Sequence, residues 1–457
     1  MNTTMKPTTA ARLRRFALPV IAAAVPAISG CDTGAVLQVE TPDVIDPKAV
    51  QSAAGAEAVR IGALARFVQA TTGTESLLLL GGLFTDEFVN GDTFIARHEL
   101  DRRAVTHDNT FLTTATRNLH RARLSAEQAI DLLRQFAPNT PPWQVAEMYF
   151  VQAYLTNLAG EVYCDGLVFS TVTAQGEQFG SPITTTAAFE QALAIADNGL
   201  RLITGTTASD LRIRNALSVT RGRILMNLNR PAEAATAVAA VPNGFQYRNH
   251  HSAATFDNAF WTWNNSSRRY SVSDREGRNG LNFATAGDPR VPVCTAPCPD
   301  IGVTSPTRED ASRPLHVQRL WTTRDAPVVL IDGIAARMIE AEAALRANNT
   351  ALWLDRLNVA RATTPNLPPL TDPGTPAARV DLLFRERAFW HFGRGQRMGD
   401  LRRLVRQYQR AENAVFPTGE WHKPGGIYGS DVNLPVPFAE ANNPNVEATR
   451  LCLNRGA

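Results

Sequence analysis

The stretch Phe384-Arg385-Glu386-Arg387-Ala388-Phe389-Trp390-His391-Phe392-Gly393-Arg394-Gly395-Gln396-Arg397-Met398-Gly399-Asp400-Leu401-Arg402-Arg403 decides how the rest of the chain is read. Just before and inside it, Val380, Leu383, Phe384 and Ala388 fall on one face at helical spacing, which predicts a helix over 377–392. Gly393-Arg394-Gly395 breaks the pattern, and 398–411 resumes it as a second helix. Glu386, Arg397, Asp400, Arg402 and Arg403 recur through this helix–turn–helix. Acid–guanidinium pairs at such positions lock one helix onto another through two parallel hydrogen bonds, so they are read as structural and not as ligand groups.

Working outward, helical patterns dominate. Toward the N-terminus they cover 53–71, 110–136, 143–160, 187–203 and 212–228, the last with Leu217, Ile224, Leu225 and Leu228 on one face. Pro138, Pro141 and Pro142 punctuate the second and third, and Pro231 opens a short Ala-rich helix that ends at Pro242. Beyond the middle of the chain, helices resume at Val328, with Ile334, Met338, Ala341 and Leu345 on one face, and a second follows at 350–362. Residues 243–326 differ: they are rich in Asn, Ser, Arg, Gly, Pro and aromatics, and hold no long helical period. Short strands such as His316 to Trp321 are expected there. Gly222 to Ala235 resembles part of a tetratricopeptide unit, without a strict repeat period. The fold expected is mainly α: TPR-like helix pairs forming a right-handed superhelix, with an irregular, loop-rich middle and a few short strands.

The N-terminus carries an export signal. Lys6, Arg12, Arg14 and Arg15 precede an apolar run from Phe16 to Ala27, and Ile28-Ser29-Gly30-Cys31 follows. A cysteine after small residues marks a bacterial lipoprotein signal, with residues 1–30 removed and Cys31 carrying the lipid. The run is too short to span a bilayer. Residues 31–50 then form a tether, and 51–457 the body, divided into helices (51–242), irregular region (243–326) and C-terminal helices with closing tail (327–457). Asp32, directly after Cys31, is an acid that in some bacteria retains lipoproteins at the inner membrane. The chain has 46 Lys and Arg against 43 Asp and Glu. Loss of the four leader cations leaves 42 against 43, so charge gives no case for nucleic acid. Four cysteines remain beside Cys31. An oxidising compartment favours pairing them: Cys294 with Cys298 across a Pro-containing loop and, by elimination, Cys164 with Cys452. No further ligands stand near Cys294 and Cys298 at zinc spacing.

Enzyme signatures are missing. There is no G-x-S-x-G, H-E-x-x-H or phosphate-binding loop, and His250-His251 is the sole histidine cluster. The expectation is a non-enzyme without metal or cofactor.

The opening stretch resembles the E-R-x-x-E-F/L-x-x-E-G-x-R-x-x-D-L-x-R segment of the RagB/SusD family. Asn433-Leu434-Pro435-Val436-Pro437-Phe438-Ala439-Glu440-Ala441-Asn442-Asn443-Pro444-Asn445 is similar to that family's closing element. Leu357-Asn358-Val359-Ala360-Arg361-Ala362 resembles its L-N-x-V-R-x-R-A helix, and Gly287-Asp288-Pro289-Arg290 its D-P-R turn. Trp390 stands near the place of the family's second acid, a departure. The resemblance implies a non-catalytic nutrient-uptake lipoprotein, lipid-anchored at the outer membrane and facing outward. Its implied partners are a TonB-dependent, SusC-like barrel transporter and a glycan or other nutrient. The alternative is a helical-repeat scaffold lipoprotein that binds only protein partners.

Sugar recognition needs flat aromatic faces beside planar polar groups. Trp261, Trp263, Asn264 and Tyr270 in the irregular middle are the best such constellation, and the two indoles would share a face on an extended chain. The competing reading seals the core with them. Trp421 and Tyr428 are a second choice. Trp353 and Trp390 are read as core.

Overall fold

A computed structural model of the protein describes residues 50–173 and 176–457; the signal, Cys31 and the tether up to residue 49 lie outside the described residues. The described chain is mainly α. Its helices are α1 (Ala53–Thr72), α2 (Leu77–Phe84), α3 (Ile95–Asp101), α4 (Thr110–Phe136), α5 (Pro142–Val162), α6 (Thr185–Leu202), α7 (Ala208–Asn227), α8 (Pro231–Val238), α9 (Gly333–Arg346), α10 (Thr350–Arg361), α11 (Pro376–Trp390), α12 (Arg397–Tyr408) and α13 (Glu412–Val415). Local chemistry starts them. Ser52, Asn109, Thr184, Asn349 and Thr375 each accept a backbone N–H of the first turn. Thr207 and Asp210 close a reciprocal capping box on α7. Pro142, Pro231 and Pro376 take first-turn positions where a missing N–H costs nothing.

Successive helices stack: α4 on α5, α5 on α6, α6 on α7, α7 on α8, α8 on α9 and α9 on α10, with α1 laid against α4. These are TPR-like pairs, each burying its apolar stripe against the next. α5 is buried along almost its whole length. One large core runs under these helices, and a second joins α9 to α12 around Trp353, Leu357 and Phe384.

Two local expectations are corrected. Val328 does not open a helix: Val328–Asp332 is a strand antiparallel to Gln246–Asn249, and α9 begins after it. Val328, Val329 and Ile331 are β-branched, stiff at χ1, and suit a strand, while Asp332 caps α9 by accepting the Ala335 N–H at 2.8 Å. Trp261–Ser266 is one turn of π-helix, not extended chain, so Trp261 and Trp263 do not share a face. The short strand in the later middle is His316–Gln318, paired with Val293–Thr295.

The opening stretch is almost entirely buried, and its charges reach across the chain. Glu386 accepts from Arg290 (2.6 Å) and Arg361 (2.8 Å). Arg387 grips Asp400 with two bonds of 2.8 Å, and Arg403 reaches Glu342 at 2.8 Å. Arg397 makes a two-pronged pair with Asp86, at 2.6 and 2.8 Å. Arg402 donates to the backbone carbonyls of Gly160, Glu161 and Tyr163, ending α5 on a cation. A disulfide joins Cys164 to Cys452, 288 residues apart in sequence, and another joins Cys294 to Cys298.

Two predictions follow from these buried charges. Arg397→Met strands Asp86 without its cation and should cost about 3–5 kcal/mol, read by urea unfolding, whereas Arg397→Met with Asp86→Leu should recover most of that loss. An equal loss in both variants would show that the pair is not the source. The second concerns Glu87. Burial pushes its carboxyl up to about 8 from the ordinary 4.5, against a backbone hydrogen bond from Gly393. The folded chain then holds a proton that the unfolded chain has lost. This contribution is full below pH 4.5 and is lost as pH rises to about 8. Glu87→Gln should therefore gain on the wild type as pH rises from 5 to 8, by roughly 3 kcal/mol at the upper end. A pH-independent difference would contradict the assignment.

Candidate functional site

The site is built on a tight turn. Strand Phe88–Asn90 pairs antiparallel with Tyr270–Val272, and the chain then bends at Gly91-Asp92. Asn90 Oδ1 accepts the Asp92 N–H at 2.8 Å, and Asp92 Oδ1 accepts the Phe94 N–H at 2.9 Å. Two successive side-chain-to-backbone turns thus project Phe94 and Ile95, which are 47% and 73% exposed.

Behind Phe94 lies Arg97. It is buried, donates to Asp92 and to Glu75 (2.6 Å), and places its guanidinium 4.3 Å from the Phe111 ring and 4.4 Å from the Trp263 ring. Burial raises the Glu75 carboxyl above its ordinary value, and the Arg97 charge works the other way. Half-buried Arg269 completes the layer, 5.1 Å from Phe94 and 5.5 Å from Trp263. Cations over ring faces hold the aromatics in place, each contact worth about 0.5–2 kcal/mol.

The tail joins from the other side. Trp421 lies edge-on to His98 at 5.2 Å, and its indole N–H donates to Asp101 at 3.1 Å. His422 contacts the same carboxylate oxygen at 2.6 Å. Lys423 bonds the Asp92 carbonyl and pairs with Asp310 at 2.9 Å. Burial works against the Asp310 charge, but hydrogen bonds from Lys423 and Ser312 hold its carboxyl below the usual range.

The four residues singled out from the sequence divide. Tyr270 is core: 1% exposed, stacked on Trp263 at 6.3 Å, its hydroxyl pushed well up by burial. Asn264 is also buried, and its side chain is consumed by backbone. It donates to the carbonyls of Tyr270 (2.9 Å) and His316 (3.0 Å) and accepts from Gln318 N–H (2.8 Å). Trp263 is half-buried, its ring covered by Arg97, Arg269 and Tyr270. Trp261 is half-buried and makes no aromatic or cation contact among the described residues, so its ring remains available. Of the second choice, Trp421 sits in the cluster, while Tyr428 is buried and donates to Glu276 at 3.0 Å. The sequence reading missed Phe94, Arg97, His98 and Lys423. The Asn90-Gly91-Asp92 turn signal was their only local mark.

The arrangement offers the exposed Phe94 ring and the half-buried Trp421 ring beside fixed cations around one turn. Among the described residues, no group of three or more His, Cys, Asp or Glu is placed to hold a metal.

No family model matches this chain, and no curated protein matches it. Solved structures do. A SusD-like carbohydrate-binding protein from Bacteroides fragilis superposes with TM-score 0.65 at 13% identity, covering 87% of this chain and 99% of that one. A SusD superfamily protein from Parabacteroides distasonis gives 0.63 at 12% identity, covering 86% and 98%, and one from Bacteroides vulgatus gives 0.60 at 13%, covering 89% and 99%. The chain therefore has the SusD-like fold.

Asn264→Ala tests the division of roles. It leaves a buried N–H and two carbonyls unpaired and should cost about 2–4 kcal/mol in thermal or urea unfolding. A stability equal to wild type would return Asn264 to the pool of ligand groups.

Proposed function

We propose that the protein is a non-catalytic, surface-exposed lipoprotein that captures a glycan and passes it to a TonB-dependent barrel of the SusC type in the outer membrane. The observation that carries this reading is the convergence of exposed Phe94, half-buried Trp421 and the Arg269 guanidinium on one built turn of a SusD-like fold. Rings supply apolar stacking for a sugar face, and guanidinium N–H groups supply planar donors for its hydroxyls. Cys31 and the leader supply the anchor in this reading. Among the described residues no helix is long and apolar enough to cross a membrane, so attachment rests on that cysteine.

A scaffold lipoprotein that binds only protein partners is the second reading. Exposed Phe94, Ile95 and Ile427 favour it, since apolar side chains at 47, 73 and 71% exposure suit protein docking.

Glycan-array screening of the mature protein, followed by calorimetry on the best hit, separates the two. Phe94→Ala and Trp421→Ala should each weaken binding by about tenfold, or 1.4 kcal/mol, measured well below each variant's melting temperature so that the stability lost with their ring and Asp101 contacts does not enter. Affinity purification from outer membranes should recover a large barrel protein. No glycan hit with a barrel recovered supports the scaffold reading; neither result leaves no support for the uptake role.

A further inference from the structure

A concavity lies away from the Phe94 turn, between the strand pair Gln246–Asn249 and Val328–Asp332 and the end of α11. It encloses about 300 Å³, at the small end of ligand pockets, which suits one ring better than a chain. Trp321, Trp390 and Phe392 form its apolar wall, and Gln246, Arg248 and Arg394 its polar one.

Each wall has a structural cause. Gln246 and Arg248 are exposed on strand Gln246–Asn249, while Tyr247 and Asn249 between them point into the protein. A register shift next to Arg248 adds an extra residue on the partner strand, a device that re-aims side chains. Trp321 is stacked on Phe260 at 4.5 Å and pressed by the turn after α11. Gly393 there has φ +69°, and a Cβ on it would stand 2.8 Å from the Trp321 ring, so the approach requires glycine.

The charges are one-sided. Three arginines line the pocket, Arg290 included, and among the described residues no Asp or Glu does. Arg290 is neutralised from behind by Asp288 and Glu386, and Arg394 by one bond to Asp332. Among the described residues Arg248 has only the neutral Gln246 amide as partner, whose oxygen accepts from Nε at 2.8 Å and from Nη2. Trp390 is 9% exposed, and its indole N–H is buried with no hydrogen-bond partner. Among the described residues, a cation without a counter-ion and a tethered guanidinium thus border an aromatic wall.

We infer that this pocket binds a small ring that bears a carboxylate, the acid held by Arg248 and Arg394 and the ring set against Trp321 and Trp390. An acidic sugar and an aromatic acid share this chemistry. The inference does not depend on the glycan reading of the Phe94 face.

The test is calorimetry with tryptophan fluorescence on the mature protein, titrated with glucuronate, glucose, phenylacetate and benzyl alcohol. One of the acids should bind saturably, and its neutral counterpart about tenfold more weakly or not at all. Glucuronate binding identifies the source as a sugar acid, phenylacetate binding as an aromatic acid. Arg248→Gln, at an exposed strand position, should weaken the acid by about tenfold with unchanged melting temperature, and Arg248→Lys should restore part of it. Phe94→Ala should leave acid binding unchanged, which separates failure here from failure of the glycan site. Absence of saturable binding by either acid, equal binding of acid and neutral ligand, or no effect of Arg248→Gln would overturn the inference.

Discussion

The structure depends on burying charges that then require a partner. An ionised group taken from water costs several kcal/mol unless an opposite charge and matching hydrogen bonds meet it. Glu386, Arg387, Arg397, Asp400 and Arg403 all sit below about a tenth exposure, and each finds its opposite. Apart from the internal pairs of Asp400 with Arg387 and Arg403, the partners lie in other parts of the chain: Arg290 in the irregular middle, Glu342 on α9, Arg361 on α10 and Asp86 just after α2. Hydrophobic stripes tolerate sliding of a helix against its neighbour. A two-pronged acid–guanidinium pair does not, because its geometry fits only one register. Apolar burial drives the helices together, and the charges fix where they stop.

The same constraint reaches the candidate site in a few residues. Arg397 fixes Asp86; Gly393 bonds the adjacent Glu87; strand Phe88–Asn90 follows at once and leads into the turn that presents Phe94. The exposed Phe94 ring is thus mounted on chain that the buried network has already placed. Arg97 and Lys423 then tie the turn to the middle region and the tail, so three segments far apart in sequence behave as one surface.

The helical body was legible because period and punctuation agreed. The expected 110–136 and 143–160 became Thr110–Phe136 and Pro142–Val162, with proline between them where a helix must stop. α2 escaped notice. Leu77-Leu78-Leu79-Leu80-Gly81-Gly82 is apolar on every side, so it has no polar face to reveal a period, and all eight of its residues are buried. The strand Val328–Asp332 was absorbed into the following helix because both are apolar. Only its β-branched content distinguishes them. The site was legible in part. Aromatic and amide residues near 261–270 did mark the region, but sequence spacing alone could not separate Asn264, spent on backbone carbonyls, from a ligand group. Lys423 reaches the Asp92 carbonyl of the Phe94 turn across more than 300 residues of sequence, and no local pattern encodes such a meeting.

Trp390 shows how one departure from a pattern changes chemistry. In the segment it resembles, an acid commonly stands near this place, and an acid here would lie beside Arg290. The indole instead lies 5.1 Å from the Arg290 guanidinium and forms part of the wall of the pocket beside Arg248. Arg290 does not need that acid, since Asp288 and Glu386 already hold it. Exchanging a carboxylate for an indole therefore leaves the scaffold pairs intact. It also removes negative charge from a cavity where Arg248 and Arg394 remain and adds a flat apolar face. Flat apolar faces of Trp321 and Trp390 beside the guanidinium groups of Arg248 and Arg394 are the combination that suits an anion carried on a ring.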